Sequence, residues 1–215
     1  MEKITAFNNS IYKFNIEDDN LNVLDTWIES AKYELNRPEI FSQQFCISDK
    51  GTDGEVTIWS TFGTPVKSFF DFEKSEILLN WVKQKTHEIS PELGFNNYHS
   101  VDLTIDWMNI MYKNSFGNCH THDDVSEPDT KQKIVAIFYL QAPENSADFL
   151  VIKNTKDYSS MGISPFTIPK QEIFPIRIKT GDLIIHKVDL PHAVDRHTLD
   201  EPRICLVMEF RYTKS

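Results

Sequence analysis

Apolar residues recur along the chain with two different periods, and the change from one to the other divides it. Leu21, Leu24, Trp27, Ile28, Ala31 and Leu35 follow at steps of three and four, the spacing of one helix face. Asp18 to Asn20 stand just ahead as N-cap candidates. Ile77, Leu78, Trp81, Val82 and Ile89 repeat the pattern and leave Lys83, Lys85 and Glu88 for solvent. Each predicted helix offers a single apolar stripe, which a sheet would cover. From about Val101 the period shortens to that of strands. The runs 101–105, 134–140, 149–152, 173–178, 182–185 and 203–212 are rich in β-branched and aromatic residues. Between them lie turn residues at 143–146, 180–182 and 200–202. The stretch 145–148, between two strong strands, reads as a hairpin. Helices first and short strands afterwards predict an α+β, mainly β fold, a sandwich or jelly roll backed by N-terminal helices.

With 215 residues the chain is expected to form one domain, 1–215, with a helical or mixed part over about 1–100 and a β core over about 101–215. Lys and Arg number 22 against 32 Asp and Glu, a net charge of −10. That balance repels phosphate backbones and anionic lipid, so nucleic acid and membranes are disfavoured partners. No apolar run approaches the roughly 20 residues of a membrane helix. The opening Met1-Glu2-Lys3-Ile4-Thr5 lacks a basic region leading into an apolar stretch. Cys46, Cys119 and Cys205 are far apart and odd in number, which argues against a disulfide framework. The expectation is a soluble, cytoplasmic chain with reduced thiols.

Seven histidines are present, and His120 and His122 are two apart in Asn118-Cys119-His120-Thr121-His122-Asp123-Asp124. On a continuing strand His120, His122 and Asp124 would share one face; in a polar loop the two imidazoles would simply be solvated. His192 follows the strand 182–185, and Arg203 comes 11 residues later. Divalent iron that must also bind a chelating substrate and O2 needs three protein ligands on one face, which two imidazoles and a carboxylate on two adjacent strands can supply. Ile204, Leu206, Met208 and Phe210 alternate with Arg203, Cys205 and Val207. An arginine on such an inward face requires an anion; the alternative is an edge arginine in water. His192 also fits a turn histidine stacked on Pro191, and His186 competes with it as a ligand. Cys119 reads as a small buried residue, His197 as solvated in a polar turn, and His87 and His99 lack any constellation.

The ordered set Trp107-Met108-Asn109, His120-Thr121-His122, the stretch 137–146, Thr180-Gly181-Asp182, Leu190-Pro191-His192 and the stretch 200–204 resembles the Fe(II)- and 2-oxoglutarate-dependent oxygenases. The likeness is greatest to the prolyl-hydroxylase-like branch common in marine bacteria and phages, and it runs from about Trp107 onward. It implies a cupin-like double-stranded β-helix with Fe(II) and the cosubstrate 2-oxoglutarate at its mouth. It also implies O2 as oxidant, ascorbate as reductant, and hydroxylation of a peptidyl side chain or small molecule with release of succinate and CO2. Arg203 would pair with the far carboxylate of 2-oxoglutarate, with Asn109 and Tyr139 touching it; Tyr139 fits equally a core residue whose hydroxyl bonds the backbone. Two ligand registers are open. In one, His120, His122 and His192 bind the metal. In the other Asp124 replaces His120, which then stands behind. Asn114-Ser115 and Val135-Ala136 depart from the family's small residues, and the longer loop 123–133 reads as a lid or a surface insertion. Competing functions are a cupin-like metal protein of non-oxygenase activity, using zinc or manganese, and a barrel without a competent site.

Overall fold

A computed structural model of the chain describes residues 1–19, 24–35, 58–60, 75–96, 100–122, 133–153 and 163–213. Its strands segregate into two antiparallel sheets. The larger contains β1 (Glu2–Ala6), β2 (Asn9–Asn15), β3 (Ile58–Ser60), β4 (Ser100–Met111), β6 (Lys133–Gln141), β9 (Asp182–Lys187) and β11 (Arg203–Thr213), in the order β1-β2-β9-β6-β11-β4-β3. The smaller contains β5 (Gly117–His120), β7 (Phe149–Ile152), β8 (Ile173–Ile176) and β10 (His192–Val194), in the order β5-β10-β7-β8. From β4 to β11 the chain passes repeatedly from one sheet to the other, the winding of a double-stranded β-helix.

Strand alternation builds two cores. Ala136, Phe138, Leu183, Ile185, Leu206, Met208 and Phe210 face helices α1 (Leu24–Leu35) and α2 (Ser75–Ile89) and pack on Trp27, Leu78, Trp81 and Val82. Val135, Ile137, Tyr139, Ile184, Cys205 and Val207 face the smaller sheet and meet Phe149, Val151 and Ile176. All nine residues of β6 are buried, because both faces are covered and both edges are paired, by β9 and β11. Such a strand reads as an unbroken apolar run rather than an alternating one.

Three local expectations are corrected, and one hairpin is added to them. The 145–148 stretch makes no hairpin: β6 and β7 lie in different sheets, since β6 has no free edge. Asn145, at φ 65°, helps turn the chain across, with Ser146 N–H donating to Pro143 O at 2.8 Å. The first helix begins at Leu24; Asp18 and Asp19 belong to a 3-10 turn, Ile16–Asp19, and Asn20 and Leu21 lie outside the described residues. The strand expected at 101–105 continues to Met111, because β11 offers a partner for its whole length. The β1–β2 hairpin was not anticipated. Its two-residue turn places Phe7 and Asn8 at φ 50° and 68°, the twist that suits a tight hairpin.

The Thr180-Gly181-Asp182 corner anchors this hairpin. Gly181 has φ 82°, a backbone that side chains resist. Asp182, with no exposed surface, accepts from Lys179 N–H at 2.8 Å and from the Asn15 amide at 2.8 Å, and pairs with Lys13 Nζ at 3.0 Å. Among the described residues no helix is long and apolar enough to cross a membrane.

Candidate metal centre

Antiparallel pairing of β5 with β10 sets His120 opposite His192, so two imidazoles stand side by side on neighbouring strands. His122 lies just beyond β5, its backbone N–H held by Val188 O at 2.9 Å. Ring centroids are 4.3 Å apart for His120 and His192, 5.3 Å for His120 and His122, and 5.2 Å for His122 and His192. One ring nitrogen from each lies within 4.8 Å of the others. Trp107 stacks on His122 and Phe149 on His192, at 5.6 and 5.1 Å.

The hydrogen bonds fix which nitrogen faces the centre. His120 Nδ1 is 2.8 Å from Asn118 O, His192 Nδ1 is 3.0 Å from Leu190 O, and His122 Nδ1 is 2.9 Å from Glu209 Oε1. Carbonyls and carboxylates only accept, so each Nδ1 carries a proton, and in the neutral ring Nε2 is left with the lone pair. Burial favours the neutral forms of His120 and His192. It pushes His120 down to about 4, with His122 adding to the effect, and holds His192 well below the usual histidine range. Three neutral imidazoles suit a divalent transition metal. Cys119 is no competitor: it packs in an apolar cluster with Leu150 and Ile152, and burial raises its thiol to about 11.

Arg203 is 2% exposed. Its guanidinium lies 4.7 Å above the Tyr139 ring, with Nη1 3.0 Å from Met111 Sδ. Arg203 Nε and the Tyr139 hydroxyl are buried and lack hydrogen-bond partners among the described residues. The backbone partner considered for that hydroxyl is therefore absent there. A buried cation flanked by an unmet donor is a cradle for a carboxylate. Asn109 sits on β4 opposite Cys205.

His197 departs from expectation. It is fully buried, its Nε2 2.7 Å from Glu201 O and its backbone N–H donating to Ser115 O, so it ties two loops together. Asp124, His99, Cys46 and the loop 123–132 lie outside the described residues. His87 lies in the last turn of α2 and, among the described residues, belongs to no group of metal-binding side chains. Sequence reasoning missed Glu209, although the alternation that turns Arg203, Cys205 and Val207 inward continues to it. A groove of about 410 Å³ lined by Ala142, Asn145, Ser146, Arg177 and Thr180 includes none of the histidines.

Residues 106–209 match the family model described as "Putative 2OG-Fe(II) oxygenase". No protein of curated function matches the chain in sequence. Among solved structures, SnoN, a non-heme alpha ketoglutarate dependent epimerase from nogalamycin biosynthesis, shares the fold with a TM-score of 0.63 at 14% identity, over 94% of this chain and 78% of its own. A Pseudomonas putida prolyl-4-hydroxylase gives 0.56 at 14%, over 95% and 94%. HygX of Streptomyces hygroscopicus, with nickel and 2-oxoglutarate bound, gives 0.55 at 12%, over 95% and 84%. The segment 106–209, which carries the three histidines and Arg203, thus resembles the 2OG-Fe(II) oxygenases in sequence, and the chain shares its fold with solved structures that include a prolyl-4-hydroxylase.

Proposed function

We propose that the chain is an Fe(II)- and 2-oxoglutarate-dependent dioxygenase that hydroxylates a peptidyl side chain or a small molecule, with His120, His122 and His192 as the iron ligands. The observation that carries this reading is the convergence of three Nε2 lone pairs whose Nδ1 partners are all engaged. When bound, iron with 2-oxoglutarate and O2 supplies the oxidising chemistry, and the cosubstrate leaves as succinate and CO2. The protein's part is binding, orientation and exclusion of water. Asn118, Leu190 and Glu209 orient the rings. Glu209 adds a negative charge one bond behind the all-histidine set, which raises the donor strength of His122. Trp107 and Phe149 keep the ring faces dry.

Arg203 pairs with the far carboxylate of 2-oxoglutarate, since its planar fork suits that group. Burial raises the Tyr139 phenol, so it stays protonated and donates to the same carboxylate. Asn109 borders that pocket beside Cys205.

Incubation with Fe(II), ascorbate and 2-oxoglutarate tests the reading. Slow succinate release without substrate, abolished in His122→Ala, is expected. Failure of the iron-loaded protein to bind 2-oxoglutarate would overturn it.

A further inference from the structure

One buried histidine beside the centre has no role in the reading above. His186 lies on β9 opposite Val135 of β6 and shows no exposed surface. Its ring centroid is 4.9 Å from His192 and 6.4 Å from His122, with Phe149 at 5.7 Å. Its Nδ1 is 2.7 Å from the Lys187 carbonyl, which can only accept. The ring proton is therefore on Nδ1, and the distal Nε2 holds a lone pair on the inward side of β9. That Nε2 is buried and has no hydrogen-bond partner among the described residues.

A buried acceptor left unmet forfeits its hydrogen bonds to water with nothing in return, so a donor is to be expected in the working protein. His186 is polarised like the three converging histidines, yet it falls outside the group whose nitrogens lie within 4.8 Å of one another. Nitrogens bound at about 2.1 Å to one ion can be no more than about 4.2 Å apart. His186 therefore stands one step beyond direct ligation in this arrangement.

We propose that His186 Nε2 accepts a hydrogen bond from a proton-bearing exogenous ligand on the metal, water in the resting protein. This makes His186 a positioning residue for a coordination position that the protein leaves open. The proposal rests on the metal site inferred above.

Co(II) binding and its visible absorption test the proposal without turnover. Wild-type protein is expected to bind Co(II) and His122→Ala to lose it; if wild type binds none, the metal reading fails and this proposal with it. In His186→Phe, which keeps a buried ring but no acceptor, Co(II) affinity should stay within about tenfold of wild type. The absorption should intensify as a bound water is lost and the coordination number drops. His186→Gln, whose amide oxygen accepts, should restore the wild-type spectrum. An unchanged spectrum in His186→Phe, or a larger loss of affinity, would overturn the proposal. Should His186→Phe fail to fold, the 15N resonance of His186 Nε2 in wild-type protein decides. On Zn(II) addition it should move to the range of a hydrogen-bonded acceptor; a metal-bound shift, or none, refutes it.

Discussion

Glu209 Oε1 lies 2.9 Å from His122 Nδ1, a bond that reaches from the last strand of the larger sheet to a ring just beyond the end of β5. It holds the proton of His122 on Nδ1 and makes a carboxylate part of the centre. Orienting partners of this kind are worth about 10–100-fold in metal affinity. Glu209→Ala should therefore weaken Mn(II) or Co(II) binding by that amount in a calorimetric titration. Glu209→Gln, which retains an acceptor and loses the charge, should fall between. Equal affinity in all three proteins would remove Glu209 from the account.

How far the chain alone discloses this site depends on the range of each interaction. The two faces of β11 were legible because period-two alternation is local: Ile204, Leu206, Met208 and Phe210 meet the helices, while Cys205 and Val207 turn inward. The meeting of His120 with His192 depends on a pairing between residues about seventy positions apart, and the ordered motifs pointed to it where periodicity could not. Burial of His197 was illegible, since its partners Ser115 and Glu201 are backbone groups on separate loops. The sheet membership of β7 was hidden for a similar reason. Only the pairing of β6 with both β9 and β11 shows that no edge is left for it.

Arg203 is a buried cation with no carboxylate partner among the described residues, and its Nε is unmet. Hydrogen bonds to charged groups contribute about 1.5–3 kcal/mol, or one to two orders of magnitude in affinity. Arg203→Ala should weaken 2-oxoglutarate binding to the Zn(II)-loaded protein by that factor, with Arg203→Lys intermediate. Because the substitution also deletes an uncompensated buried charge, the ligand-free protein should be no less stable. A wild-type affinity for 2-oxoglutarate in Arg203→Ala would place the cosubstrate elsewhere.

Burial depresses His120 to about 4, His186 to about 3, and His192 well below the ordinary range. The unfolded chain protonates these groups near pH 6.5, whereas the native metal-free protein does not. As pH falls from about 6.5, the unfolded state therefore binds more protons and stability drops. Each fully buried ring contributes up to about 1.4 kcal/mol per pH unit; half-buried His120 contributes less. Urea unfolding of the metal-free protein should show flat stability from these groups above pH 7 and a steep decline from pH 6 to 5. His186→Phe should make that decline shallower. A profile independent of pH between 7 and 5 would contradict a neutral histidine cluster.

Asp182 offers a test that separates fold from site. Its carboxylate joins β9 to Lys13 and Asn15 of β2 at the Gly181 corner. Removing one partner of a buried charged network costs about 3–5 kcal/mol. Asp182→Ala should destabilise by that amount in urea unfolding, while Asp182→Asn, which keeps one acceptor, should lose about 1–3 kcal/mol. Lys13 can keep its bond to Arg177 O, which limits the damage to β2 and the edge hairpin. Amide exchange should accelerate there first, with β6 and β11 protected. Asp182 contacts none of the clustered histidines, so Co(II) affinity of the folded fraction should match wild type. A selective loss of Co(II) binding at unchanged stability would mean that this corner shapes the metal centre itself.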